Sequence, residues 1–268
     1  MAQILDGTAL AKKIKNELKE RIEQENIKAC LAVVLVGDDP ASRIYVNGKK
    51  NDCKEIGIES REIALPASTT EGELLGIIDE LNKDNSVNGI LVQLPLPKAI
   101  NEKVIINAIN PKKDVDGFHP MTEFTPCTPG GIMEFFAEYD IPIEGKNCVV
   151  IGRSNIVGKP MARLLLNANG TVTVCHSKTK NLSEYTKNAD ILVAAIGKPE
   201  FVTTDMVKEG AVVIDVGMDR LPDGKLVGDV DFENVKEKAS YITPVPGGVG
   251  PMTRAELMKN VVEAIPDF

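Results

Sequence analysis

The chain has 268 residues, of which 43% are apolar and 26% charged, and its formal net charge is −8. This composition provides for one large core or two smaller ones and excludes a fibrous or disordered chain. The negative charge disfavours general attraction to nucleic acid or to an anionic membrane, so an anionic ligand requires a local basic site. We therefore expect no nucleic-acid or membrane partner.

The cysteines and the N-terminal residues indicate the cellular compartment of the protein. Five widely spaced cysteines without a C-x-x-C pair indicate neither a zinc site nor a disulfide framework, so we interpret them as reduced thiols, mostly core residues, and predict no metal site. The N-terminus lacks the basic region of a signal peptide, and no apolar run approaches the length of a membrane span. We expect a cytoplasmic protein.

Hydrophobic periodicity indicates alternating helices and strands. Leu10, Ile14, Leu18 and Ile22 recur at helical spacing, whereas short apolar runs bounded by Gly, Asp or Pro are typical of buried parallel strands. The pattern predicts an α/β fold with two domains, the second resembling a doubly wound nucleotide-binding sheet. The predicted helices of the first half are 8–25, 41–56 and 71–84, and the predicted strands of the chain are 31–36, 89–94, 147–151, 171–174, 191–196 and 211–216.

Two segments rich in Pro and Gly punctuate this pattern. Residues 120–130 form the natural linker between the domains, and residues 243–251 precede a final helix. Thr253 and Glu256 have the spacing of a capping box at the start of that helix. The helix is compatible with packing on either domain.

A glycine turn follows strand 147–151 and leads into a predicted helix. Residues 152–160, from Gly152 to Pro160, make an anion cradle of the kind formed by a strand, a turn and a helix N-terminus. Five residues separate Gly152 from Gly158, and Pro160 stands where a Walker A loop has Ser or Thr, which argues against ATP chemistry. A purely structural turn is the alternative interpretation.

The strand at 171–174 is followed by Cys175, His176, Ser177 and Lys178 rather than by an acid. An NAD site presents Asp or Glu to the ribose at this place, whereas Arg153, Ser177 and Lys178 would suit a 2′-phosphate. The residues therefore favour NADP over NAD. His176 and Lys178 as solvated turn residues remain the alternative.

The candidate reacting residues lie in the first half. Tyr45 and Lys49 are four apart and share one helix face, and a buried lysine loses several units from its ordinary pKa near 10.4, which would suit it to move protons. From spacing alone, a solvated lysine face is the favoured interpretation. Gln93 follows a buried strand and would hold the lysine, while Asp114 and Asp116 flank Val115 as either site residues or turn caps.

Several motifs together resemble the methylenetetrahydrofolate dehydrogenase/cyclohydrolase family over nearly the whole chain. The motifs are Gly37–Ser42 with Tyr45, Val46 and Lys49; Gln93–Pro97; Lys113–Phe118; Pro126–Pro129; Gly152–Ser154 with Val157 and Gly158; and Pro244–Thr253. The resemblance implies NADP-dependent oxidation of methylenetetrahydrofolate, followed by hydrolysis of the methenyl product to 10-formyltetrahydrofolate. It also implies a cleft between a folate domain, 1–120 plus the helix 252–268, and an NADP domain, 121–251.

The same resemblance assigns residue roles. Lys49 would be the catalytic lysine, Tyr45 would stack on the folate rings, Gln93 would tune Lys49, and Asp116 would hold the pterin. Pro246, Gly247 and Gly248 would border the folate pocket. The residues implied at the cofactor are Gly152, Arg153, Ser154, Gly158, Ser177 and Met218. Tetrahydrofolate derivatives are the implied substrates, and the family suggests a homodimer.

One departure from the family pattern is a short connection between Pro120 and Pro126, which lacks roughly ten residues that family members commonly carry. Such a connection would alter cleft width, folate entry or the balance of the two activities. Two alternatives to the bifunctional enzyme stay open: an NAD-dependent relative that is a dehydrogenase only, and a nucleotide-sensing module without catalysis. The module without catalysis is disfavoured because the chain retains the four candidate catalytic residues, Tyr45, Lys49, Gln93 and Asp116.

Overall fold

The computed structural model describes residues 1–265 as an α/β protein of two compact units. Within the described residues, the three-strand unit comprises Lys12–Cys127 and 254–265, and the six-strand unit comprises Met1–Ala11 and Thr128–Thr253. The strands are β1 (Gln3–Ile4), β2 (Cys30–Val36), β3 (Glu59–Leu65), β4 (Gly89–Val92), β5 (Asn147–Ile151), β6 (Thr171–Cys175), β7 (Ile191–Ala194), β8 (Val212–Asp215), β9 (Asp219–Arg220), β10 (Leu226–Val227) and β11 (Tyr241–Ile242). The helices are α1 (Gly7–Gln24), α2 (Pro40–Ile56), α3 (Glu71–Lys83), α4 (Glu102–Ala108), α5 (Cys127–Glu138), α6 (Gly158–Asn167), α7 (Leu182–Thr186), α8 (Phe232–Val235) and α9 (Val249–Glu263), with a 3₁₀ turn at Thr204–Met206.

The three-strand unit is built on a parallel sheet of order β3-β2-β4. Every residue of the central strand β2 is buried, as expected for a parallel strand covered on both faces. Alternate residues point to opposite faces, so Leu31 and Val33 pack in a core with α1, α2 and α9, while Ala32 and Val34 pack in a second core with α3. The polar edge strand β3 has no apolar run and is absent from the predicted strands.

The six-strand unit has a parallel sheet of order β1-β11-β8-β7-β5-β6. After β5 the chain crosses to β6 on one side and then returns past β5 to β7 and β8 on the other. This reversal makes β5 the switch point of the sheet, where ligands bind in such folds. The predicted α/β fold with a doubly wound second sheet is thereby confirmed.

The unit bounds differ from the predicted domain bounds at both ends of the chain. β1 pairs with β11, so residues 1–11 belong to the six-strand unit rather than to the predicted 1–120 domain. α5 begins at Cys127, so the last four residues of the predicted linker 120–130 are helical. α9 begins at Val249 rather than at 252, and its residues 254 onward belong to the three-strand unit.

The predicted capping box of the final helix is wrong. Thr253 lies one turn inside α9, and its hydroxyl donates to the carbonyl oxygen of Val249 at 3.2 Å. Gly250 and Pro251 fall in the first turn, where backbone N–H groups have no intrahelical partner and proline is tolerated. Within residues 1–265, no helix is sufficiently long and apolar to span a bilayer.

Candidate active site

Helix α2 carries Tyr45 and Lys49 on one face. Asp39 caps its first turn by accepting a hydrogen bond from the backbone N–H of Ser42 at 2.7 Å, and Pro40 occupies the first helical position. Tyr45 remains 40% exposed, whereas Lys49 is only 8% exposed. Lys49 is therefore buried, and the solvated lysine face that spacing alone favoured is wrong for this residue.

Gln93 is the partner of the buried lysine. β4 ends at Val92, and the Nζ of Lys49 donates to the Oε1 of Gln93 at 3.0 Å. The Nε2 of Gln93 donates to the carbonyl oxygen of Leu94 at 2.7 Å, which orients the amide with its oxygen toward the lysine. The predicted contact between these two side chains is present.

Asp114 and Asp116 have different surroundings. The carboxylate of Asp114 accepts from the backbone N–H of His119 at 2.7 Å and so caps a turn; burial raises the pKa of Asp114 to about 6. Burial also raises the pKa of Asp116, while the positive charge of nearby Lys49 acts to lower it. The charge of Lys49 therefore acts on Asp116, whereas the carboxylate of Asp114 is engaged in its turn.

Two residues that were not assigned to the site from the sequence, Cys127 and Asn260, hold the segment that carries Asp116. Cys127 is fully buried, its thiol donates to the carbonyl oxygen of Val115 at 3.3 Å, and burial raises its pKa well above the ordinary thiol range. Asn260 on α9 donates from Nδ2 to the carbonyl oxygens of Val115 and Thr125, each at 2.9 Å. This amide joins Val115, before the short connection, to Thr125 within it, a long-range contact that no local pattern indicates.

The glycine turn after β5 has the predicted strand–turn–helix form. Gly152 has φ 124°, and a Cβ on it would lie 2.2 Å from the carbonyl oxygen of Ala195, so only glycine permits this approach. The hydroxyl of Ser154 accepts from the N–H groups of Val157 and Gly158, at 3.1 and 3.3 Å. Arg153 and Ser154 are exposed at the carboxyl edge of the sheet.

The other predicted cofactor residues follow neighbouring strands. Ser177 and Lys178 are exposed in a turn after β6, where the N–H of His176 donates to the hydroxyl of Thr179 at 2.9 Å. Met218 follows β8 and is 44% exposed. Parallel strands end at the same edge, so these residues and the glycine turn share the carboxyl edge of the six-strand sheet.

The predicted folate residues divide between the two units. Lys49, Gln93 and Asp116 come together in the three-strand unit, with Tyr45 one turn before Lys49. Residues 246–248, the predicted pocket border Pro246, Gly247 and Gly248, belong to the six-strand unit. There the N–H of Thr8 donates to the carbonyl oxygen of Gly247 at 3.1 Å, which ties the loop to the start of α1.

All five cysteines are free and buried, in agreement with their interpretation as reduced core thiols. Among residues 1–265, no group of three or more His, Cys, Asp or Glu side chains has an arrangement able to hold a metal ion.

Comparison with known proteins identifies the family. Residues 5–116 match the catalytic domain of tetrahydrofolate dehydrogenase/cyclohydrolase, and residues 126–267 match its NAD(P)-binding domain. The chain is 61% identical to the bifunctional protein FolD of Ruminiclostridium cellulolyticum, covering 98% of this chain and 97% of that protein, and 60% identical to that of Acetivibrio thermocellus, covering 98% and 96%.

Solved structures agree. The bifunctional FolD of Campylobacter jejuni superposes with a TM-score of 0.96 at 53% identity, covering 98% of each chain. A Trypanosoma brucei FolD, described as complexed with NADP cofactor and inhibitor, has a TM-score of 0.94 at 36% identity, covering 98% of this chain and 97% of that one. These matches confirm the resemblance found in the motifs.

Proposed function

Because this chain belongs to the tetrahydrofolate dehydrogenase/cyclohydrolase family, we propose that it oxidises 5,10-methylenetetrahydrofolate with NADP and hydrolyses the methenyl product to 10-formyltetrahydrofolate. The observation that carries the proposal is the buried Nζ of Lys49, 3.0 Å from the oriented amide oxygen of Gln93, with the Asp116 carboxylate nearby. A solvated or purely structural lysine has no need of this arrangement.

The carboxyl edge of the six-strand sheet fits NADP. Gly152 allows the close turn, and the exposed Arg153, Ser154, Ser177 and Lys178 are donors suited to phosphate oxygens. No acid lies between His176 and Lys180, where NAD sites bind the ribose hydroxyls. When bound, NADP accepts the hydride that leaves the methylene carbon.

The residues of the three-strand unit serve the folate. In our proposal Tyr45 stacks on the folate rings and Asp116 binds the polar edge of the pterin, which positions the reacting carbon. The loop Pro246–Gly248 borders the folate. Since Lys49 is nearly excluded from water, its amine exchanges protons with the bound substrate rather than with bulk solvent.

Hydrolysis of the methenyl cation requires proton transfer at two atoms. Water adds to the methenyl carbon and loses one proton to the Lys49 amine. As the bond from that carbon to N5 breaks, Lys49 returns this proton to N5, and the hydroxyl loses its remaining proton to leave the formyl group on N10. One proton per turnover goes to solvent. Gln93 holds the amine in place through its oriented oxygen.

Absorbance measurements with methylenetetrahydrofolate test this function. The reaction is followed with NADP and, in parallel, with NAD. NADPH formation without accumulation of the methenyl chromophore supports both activities. Methenyl accumulation that decays at the uncatalysed rate would mean a dehydrogenase only; no turnover with either cofactor would favour a nucleotide-sensing module.

Lys49→Ala tests the assigned residue, and Lys50→Ala is the matched control on the same helix, where Lys50 is exposed and pairs with Glu62 at 3.5 Å. We expect Lys49→Ala to lose methenyl hydrolysis by about a hundredfold or more, the size of a lost general base, and to keep NADP binding. Wild-type hydrolysis by Lys49→Ala would overturn the assignment, as would an equal loss in Lys50→Ala.

A homodimer and a cytoplasmic location complete the proposal. The free buried thiols support a reducing compartment, and sedimentation of the purified protein would measure the oligomeric state.

A further inference from the structure

Two buried aspartates lie at the carboxyl edge of the six-strand sheet without a role in the proposed chemistry. Asp215 is the last residue of β8 and is 2% exposed; Asp229 follows β10 and is 0% exposed. Burying two carboxylates costs free energy unless both are well bonded, so their contacts indicate what they hold.

Asp229 holds the segment that follows β7. Its Oδ2 accepts from the N–H of Ile196 at 2.7 Å, and its Oδ1 accepts from the N–H of Lys198 at 2.6 Å. Ala195, at the start of this segment, is the residue whose carbonyl oxygen lies against Gly152. The carboxylate therefore fixes a stretch of backbone that borders the glycine turn.

Asp215 in turn holds Asp229. Its Oδ1 accepts from the N–H groups of Asp229 and Gly217, at 2.8 and 3.0 Å, and its Oδ2 accepts from the N–H of Val230 at 2.9 Å. A Cβ on Gly217 would lie 2.7 Å from the Asp229 carboxylate, so the backbone before Met218 packs directly on this pair.

The order of the strands indicates which half of NADP lies on each side of the glycine turn. β6 lies on one side of β5, and β7 and β8 lie on the other. The proposed 2′-phosphate residues Ser177 and Lys178 follow β6, so the adenosine half of NADP lies on that side of the glycine turn. The nicotinamide half then extends over the segments that follow β7 and β8.

We infer that Asp229 is a positioning residue for the nicotinamide half of NADP, acting through the backbone of Ile196–Lys198 and anchored by Asp215. The inference rests on the proposed binding of NADP at this edge. Asp229→Asn is nearly isosteric, but its amide can accept only one of the two N–H groups and turns an NH₂ toward the other. It therefore loosens the segment with little change in volume.

Calorimetric titration with two ligands tests the inference. NADP requires both halves of the edge, whereas adenosine 2′,5′-bisphosphate lacks the nicotinamide. In Asp229→Asn we expect the Kd for NADP to rise about tenfold, the effect of one lost hydrogen bond to a charged group, and the Kd for the bisphosphate to stay unchanged.

Asp190→Asn is the matched control. Asp190 lies before β7 at the opposite edge of the same sheet, where it accepts from the N–H of Asn147 at 2.8 Å and pairs with Lys208. We expect this variant to bind both ligands as the wild type does. Unchanged NADP affinity in Asp229→Asn, or equal loss of both ligands, would overturn the inference. Wild-type protein that binds neither ligand would overturn the proposed NADP site itself.

A second pair of variants covers the case in which Asp229→Asn does not fold. Lys198 is exposed, and both Lys198→Pro and Lys198→Ala remove its side chain. The proline variant also lacks the N–H donor to Asp229 and has a fixed φ, whereas the alanine variant retains that donor. Weaker NADP binding in the proline variant alone supports the inference; equal NADP affinity in both variants contradicts it.

Discussion

Gln93 presents its amide oxygen to Lys49 because its amide nitrogen is already engaged by the carbonyl oxygen of Leu94. Gln93→Glu replaces that oxygen with a carboxylate, which favours the ammonium form of the lysine, whereas proton abstraction from water requires the amine. We expect methenyl hydrolysis at neutral pH to fall about tenfold, measured as the initial rate of loss of methenyl absorbance. An unchanged rate would show that the neutral amide of Gln93 is not needed beside Lys49.

The buried carboxyl group of Asp114 makes the free energy of unfolding depend on pH. Its pKa is raised by burial from 3.8 to about 6, so the folded protein binds more protons at this group than the unfolded chain between those values. The free energy of unfolding that Asp114 contributes therefore decreases as pH rises through this window. Asp114→Asn keeps an acceptor for the N–H of His119, and we expect it to stabilise the protein at about pH 8 by about 1–2 kcal/mol and by less at about pH 4. Urea unfolding at both pH values measures this, and equal destabilisation at both would contradict it.

At the scale of elements, Asn260 shows how α9 stabilises the short connection. Its Nδ2 donates to the carbonyl oxygens of Val115, before that connection, and of Thr125, within it. Asn260→Leu keeps the branching and the number of side-chain heavy atoms but removes the donors to both carbonyl oxygens, and we expect it to lower the free energy of unfolding by about 2 kcal/mol. The same substitution at Asn47, an exposed position on α2, is the control and should change stability by much less. Similar losses in the two variants would mean that the Asn260 hydrogen bonds contribute little.

Strands that are buried appear as apolar runs and could therefore be predicted from sequence. β2 and β5 are buried apolar runs, and their predicted bounds agree with the structure to within one residue. β3 is half-exposed and polar, so its place in the sheet depends on pairing with β2, which no local pattern reports. Likewise, Lys49 and Gln93 could be singled out from the sequence, and the family resemblance named Asp116. Local pattern alone did not separate Asp116 from Asp114, because the difference lies in burial and charge in the folded chain.

At the scale of the whole molecule, the division into units depends on contacts between distant parts of the chain. β1 has only two residues, and its partner β11 lies at Tyr241–Ile242, so the breaker-rich linker could mark a boundary but not the return of residues 1–11 to the six-strand unit. The same limit applies to Asp229, whose backbone partners are about thirty residues away in sequence. Local motifs located the glycine turn, whereas the groups that support it come from the sheet as a whole.

Because the proposed nucleotide residues and Lys49 belong to different units, we can predict where NADP binding slows hydrogen exchange. A ligand that binds only the folded protein at 100 times its Kd stabilises it by about 2.7 kcal/mol, and the increase is seen as slower amide exchange around its site. We expect saturating NADP to slow hydrogen exchange at 152–158, 176–179 and 196–198, all in the six-strand unit, and to do so equally in Lys49→Ala, because Lys49 belongs to the three-strand unit. In Asp229→Asn at the same NADP saturation, the protection at 196–198 should be reduced while that at 176–179 persists. Loss of NADP protection in Lys49→Ala would show that the lysine contributes to the nucleotide site and would contradict the separate roles proposed for the two units.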